Sequence, residues 1–202
     1  MKNPKVSCVI PFHWMDNWPT LLTRCLASIE MQSFTDYEII LVKHSTMPVT
    51  SNRAIESAKG DLIKVLYMDD YLAHQHSLRE IVDAFTPDTK WLVTSCLHDN
   101  GKGDPYNYHE PKYTDDIYTG SNGIGSPSVL TMRKEGALLF DDTLSWLLDC
   151  DLYKRLHDLH GPPTILNTPN VIIGLHKGQA SNLMSDTDKR KEGVYMLEKY
   201  NA

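Results

Sequence analysis

Between residues 5 and 97 the chain repeats one pattern: an apolar, β-branched run ending in polar residues, then a segment of helical period. The runs are KVSCVIP (5–11), YEIILV (37–42), DLIKVLYM (61–68) and KWLVTSCL (90–97). Strands this continuously apolar are buried on both faces, and strands alternating with helices through short connections form a parallel sheet covered by helices. The intervening segments fit helices. Asn17 stands where a cap belongs, Pro19 falls in the first turn, and Leu22, Cys25, Leu26 and Ile29 follow at i, i+3, i+4 and i+7. SNRAIESAKG (51–60) reads as a short helix closed by Gly60, and Leu78, Ile81, Val82 and Phe85 form a third stripe before Pro87.

Beyond residue 97 the pattern changes. Residues 98–123 are polar, rich in Gly, Pro and Tyr, and carry no sustained period, which fits a long functional loop or short strands hidden within it. SVLTMRK (128–134) reads as a strand. LSWLLDCDLYKRLHDLHG (144–161) reads as a helix with Leu148, Leu152, Leu156 and Leu159 inward, and PTILN and NVIIGLH read as two last strands. With 202 residues, 41% hydrophobic and 23% charged, the chain suits one domain. Its halves divide near residue 97, the second runs to about 182, and a polar tail covers about 183–202.

A net charge of −6 gives no general basic field for nucleic acid or anionic membrane. No apolar run approaches the ~18 residues of a membrane span. Cys8, Cys25, Cys96 and Cys150 lie far apart, three of them within apolar segments, as buried hydrophobes of a reducing compartment do. A cytoplasmic location is the expectation.

The third run ends in VLYMDD (65–70), which places two adjacent carboxylates, Asp69 and Asp70, at a strand end without a basic neighbour. Like charges so close repel unless one is protonated or a cation joins them, and ligands of open α/β sheets bind beyond the carboxyl ends of strands. Asp pairs also cap turns, and spacing alone does not separate the two uses. Asp149 and Asp151 in LLDCD and His176 in GLHKGQASN are further candidates. Each has an ordinary reading as well: a solvated helix carboxylate near Lys154 and Arg155, or a surface histidine.

Taken in order, VSCVIPFHW, CLASIEMQSF, DYEIILV, NRAIESAKGDLIKVLYMDD, LLDCDLYKRL and LHKGQASN resemble the family 2 glycosyltransferases over roughly residues 5–182. The resemblance implies a GT-A-like, Rossmann-related α/β sandwich with a mostly parallel central sheet, whose first half (1–97) binds the donor and whose second half (98–182) faces the acceptor. It implies an inverting glycosyltransferase using Mn²⁺ or Mg²⁺, a nucleoside diphosphate sugar (a UDP-sugar first) and a glycan or other hydroxyl acceptor. Asp70 then falls to a direct metal ligand, Asp69 to a ribose or water-mediated contact that also counts toward the metal site, and His176 to the metal or the diphosphate. Asp149 takes the place of the general base, with Asp151 as the alternative. Pro11, His13, His44 and Arg53 fall on the donor side.

The chain departs from the family pattern in three places. Tyr67 occupies the position of the usual first metal-binding Asp, Leu148 that of the glutamate before the base, and Lys43 and His44 follow the second strand where an Asp usually reads the pyrimidine edge. Phe12, His13 and Trp14 replace the usual first turn but still offer a ring for stacking. Two other readings follow from these facts. A catalytically impaired nucleotide-sugar or glycan-binding protein would tolerate the losses. A sugar-phosphate nucleotidyltransferase would need a Gly-rich basic loop after the first strand, and PFHWMDNWP has none.

Overall fold

The computed structural model describes residues 3–201. Eight strands form one sheet in the order β2 (Tyr37–Val42), β1 (Val6–Pro11), β3 (Leu62–Val65), β7 (Leu130–Arg133), β5 (Trp91–Asp99), β8 (Thr164–Gly174) and β4 (Tyr71–Leu72), with β6 (Tyr106–His109) pairing to β5. β1, β2, β3, β5 and β8 run one way and β4, β6 and β7 the other, which is the mostly parallel sheet expected. Among the described residues six helices accompany it: α1 (Trp18–Glu30), α2 (Met47–Ser57), α3 (Ser77–Asp83), α4 (Leu148–His160), α5 (Ala180–Leu183) and α6 (Asp186–Asn201).

The sheet order explains the burial of each strand. All of β1 is buried, because β2 and β3 flank it and helices cover it. β2 is an edge strand, so YEIILV is only half-buried and Leu41 is exposed, contrary to the buried strand expected there. Within β3, Lys64 is fully buried and its ammonium donates to the carbonyls of Ser128 and Leu130. Burial pulls its pKa down to about 7.

Several local expectations are corrected. α2 begins at Met47, earlier than the apolar pattern indicated, with Pro48 in its first turn. Gly60 does not close that helix, which ends at Ser57 with Ala58 in extended conformation. It serves close packing instead: its N–H reaches Ser7 Oγ at 2.8 Å, and a Cβ there would lie 2.7 Å from Ser7 N. Asn17 precedes α1 in the left-handed region (φ 65°) without a side-chain cap. PTILN and NVIIGLH are one strand, β8, whose register against β5 shifts between Thr94 and Cys96. Leu159 points outward, while Leu148, Leu152 and Leu156 are buried.

Residues 98–123 are ordered by packing. They hold β6 and a short 3₁₀ turn at Asp115–Thr119 with Ile117 fully buried, and Tyr113 stacks on His157 of α4 at 3.8 Å. The polar tail is largely helix α6, seated on the core through Met196.

Candidate active site

A pocket of about 500 Å³ opens where parallel strands end. Phe12 and His13 follow β1, Tyr67, Asp69 and Asp70 follow β3, and His176 follows β8. Ser45, Thr46 and Met47 bring in the start of α2, while Trp146, Leu148 and Asp149 bring in the start of α4.

The two strand-end carboxylates differ in their surroundings. Asp70 is 2% exposed, and both its oxygens are engaged, Oδ1 by Gly174 N–H at 2.8 Å and Oδ2 by the Ser126 hydroxyl at 3.3 Å. Burial, and then the charge of Asp69, raise its pKa above the usual carboxylate range. The Asp69 side chain is 20% exposed, and its Oδ2 lies 2.9 Å from His176 Nε2. Gly178 N–H points at His176 Nδ1 at 3.1 Å, so Nδ1 accepts and the ring proton sits on Nε2, facing Asp69. Arg24 fixes the backbone beneath, donating to the Asp69 carbonyl at 2.8 Å and to Asp99 at 2.7 Å.

Gly174 makes this arrangement sterically feasible. A Cβ at that position would strike the Asp69 carbonyl oxygen and lie 3.1 Å from Arg24 Nη2. Gly174→Ala is therefore expected to cost about 1–3 kcal/mol of stability by displacing the Asp69 turn. Urea unfolding checks this; an unchanged midpoint would remove the steric argument.

Asp149 sits partly buried in the first turn of α4 and lines the same pocket. Asn122 Nδ2 donates to its Oδ2 at 2.9 Å and Cys150 N–H to its Oδ1 at 2.8 Å. Burial outweighs these bonds and lifts its pKa to about 6. Asn122 is itself locked, because its Oδ1 accepts from Ile124 and Gly125 N–H.

Of the residues singled out from the sequence, the pocket gathers His13, Asp69, Asp70, Asp149 and His176. Pro11 is the buried last residue of β1, one position before the lining. His44 lies on the surface bonded to Ser45 Oγ at 2.9 Å, Arg53 is exposed on α2, and Lys43 holds its ammonium 4.1 Å over the Trp14 ring. None of those three lines the pocket. Asp151 is fully buried outside it, bonded to Arg155, Lys199 and Tyr200. The four tyrosines of 98–123 stand away from it as well. Sequence reasoning passed over Trp146, Ser126, Asn122 and the start of α2, although Pro48 marked the last of these.

No protein-family model matches the chain, and no curated protein matches it. Solved structures do. TarS of S. aureus, residues 1–349, has TM-score 0.64 at 15% identity, over 97% of this chain and 72% of that one. The same protein in complex with UDP-GlcNAc has TM-score 0.66 at 16% identity, over 96% and 65%. Mannosyltransferase PcManGT from Pyrobaculum calidifontis, in complex with GDP-Man and Mn²⁺, has TM-score 0.59 at 11% identity, over 97% and 62%. The chain thus spans 62–72% of the length of these three. At such identities the likeness speaks for architecture, and by architecture this chain has the GT-A-like α/β fold that they share.

Proposed function

We propose that the protein is a glycosyltransferase that moves a sugar from a nucleoside diphosphate sugar to an acceptor hydroxyl, with inversion, in the presence of Mn²⁺ or Mg²⁺. One observation carries the reading: a strand-end carboxylate pair and a carboxylate of raised pKa line a single pocket. Neighbours of the same fold hold UDP-GlcNAc in one case and GDP-Man with Mn²⁺ in another, which supports the donor class.

The acid pair suits a hard divalent cation. Two adjacent carboxylates, one buried and destabilised by the other's charge, are relieved by a cation. No group of three or more His, Cys, Asp or Glu side chains forms a shell among the described residues, so the remaining oxygens would come from diphosphate and water. Asp69, the more accessible acid, would hold the ion, with Asp70 behind it. This reverses the division of roles expected from the resemblance. Both nitrogens of His176 are engaged, by Asp69 and by Gly178, so we assign His176 to orienting Asp69. Bound there, the ion would neutralise charge gathering on the departing diphosphate.

Asp149 supplies the other half of the chemistry. The acceptor oxygen forms its bond to the anomeric carbon as the bond from that carbon to the diphosphate oxygen breaks, and the hydroxyl proton passes to Asp149. Attack from the face opposite the diphosphate inverts the centre.

The experiment is release of nucleoside diphosphate from a panel of UDP- and GDP-sugars with Mn²⁺. Release from none of them would overturn the reading. In calorimetry, Mn²⁺ should tighten nucleoside diphosphate binding by about tenfold or more, equivalent to roughly 1.4 kcal/mol. Asp69→Asn should remove most of that gain. Equal affinity in chelator and in Mn²⁺ would rule out the metal.

A further inference from the structure

We infer that Glu192 on α6 is a positioning residue for the pocket wall that carries Asp149, which makes α6 part of the catalytic unit. The inference rests on the reading of Asp149 as the base.

α4 starts without a cap of its own. Leu147 occupies the cap position and offers no side-chain acceptor, yet the amides at a helix start need partners. Glu192, on another element, holds the cap residue's own N–H and the two amides before it, and so fixes the turn that leads into α4. Its Oε1 accepts from Ser145 N–H at 2.8 Å, and its Oε2 accepts from Trp146 N–H and Leu147 N–H, each at 2.9 Å. One carboxylate thereby holds three consecutive amides directly before Leu148 and Asp149. Ser145, Trp146, Leu148 and Asp149 all line the pocket.

The same helix grips this wall at two further points. The Lys189 ammonium lies 5.5 Å from the Trp146 ring centroid, and Lys199 and Tyr200 each reach Asp151 Oδ1 at 2.7 Å. Asp149 therefore sits between the turn before α4 and Asp151 within it, both of which α6 restrains. The strand-end acids and the start of α2 owe nothing to these contacts, since β3, β8 and the β2–α2 turn build them. Loss of Glu192 should therefore separate catalysis from nucleotide binding.

The test compares the full chain with its Glu192→Ala and Glu192→Gln variants by three measurements: nucleoside diphosphate affinity, donor turnover with saturating Mn²⁺, and hydrogen exchange across 144–150. We expect affinity within about twofold of the unmodified protein and a kcat lower by roughly tenfold or more in Glu192→Ala, as small displacements of a catalytic group produce. Exchange at 145–147 should speed up. Glu192→Gln, which keeps an acceptor oxygen, should recover part of the turnover, and added acetate should raise turnover of Glu192→Ala without helping Asp149→Asn. Turnover within about twofold for Glu192→Ala, or a loss of affinity in step with kcat, would overturn the inference. Should Glu192→Ala not fold, Glu192→Gln carries the same comparison. If the unmodified protein turns over no donor, the functional reading has failed, and the exchange arm alone decides whether Glu192 holds the wall. Unchanged exchange would show that it does not.

Discussion

Asp149→Asn is expected to slow glycosyl transfer by roughly 10²- to 10⁴-fold while leaving affinity for a nucleoside diphosphate nearly unchanged. The substitution keeps the size of the side chain and removes its charge and its capacity to take a proton. Asn122 is fixed by Ile124 and Gly125, so it continues to present its amide N–H to position 149. The new carboxamide must turn its oxygen toward Asn122, which leaves its NH₂ facing the Cys150 N–H that Asp149 now accepts. That mismatch should cost about 1 kcal/mol of stability, too little to unfold the protein at assay temperature.

The pH dependence follows from the same group. Burial raises the Asp149 pKa to about 6, so the carboxylate is ionised above that pH and protonated below it. Since a base must be ionised to accept a proton, kcat should be flat above about pH 6 and fall by about tenfold per pH unit below it. In Asp149→Asn that limb should vanish. A limb that persists there would assign it to another group, and turnover near normal would remove Asp149 from the mechanism.

The parallel half of the fold was legible because each of its strands is a continuous apolar run whose end is marked by polar residues. Asp69 and Asp70 could be placed at a strand end for that reason, and the topology then brought them into one pocket with Asp149. Where local pattern and tertiary structure diverged, the reading failed for identifiable physical reasons. β8 contains Asn167 and Pro169, which break the strand pattern, while a register shift against β5 keeps it one strand. Lys64 is the one cation inside its apolar run; it is tolerated because β3 lies between β1 and β7 and backbone carbonyls take its ammonium. α6 was the least legible element, because Met196 is buried while the helix is otherwise anchored by ionic and polar side chains, notably Glu192, Lys199 and Tyr200. A helix held in that way shows no apolar stripe.

Those polar anchors lead to the second large effect. Asp151→Asn is expected to destabilise the fold by about 3 kcal/mol, toward the lower end of what breaking a buried ion pair costs. Asp151 is fully buried, with Oδ2 2.6 Å from Arg155 Nη2 and Oδ1 2.7 Å from both Lys199 Nζ and Tyr200 Oη. A carboxamide retains one acceptor oxygen and turns its NH₂ toward donors on the other side. The loss is tempered because Arg155 also bonds the Leu139 carbonyl, Lys199 also pairs with Asp141, and both cations are partly exposed. Since Asp151 lies outside the pocket, turnover per folded molecule should fall by less than about tenfold, as for a displaced wall rather than a missing base. The urea midpoint and the kcat of Asp151→Asn, measured beside Asp149→Asn, separate the two roles: one variant loses stability and keeps chemistry, the other does the reverse. An unchanged midpoint would show that the buried ion pairs contribute little. A collapse of turnover in folded Asp151→Asn, with near-normal turnover in Asp149→Asn, would transfer the base to Asp151, even though its carboxylate is bonded to Arg155, Lys199 and Tyr200 and does not line the pocket.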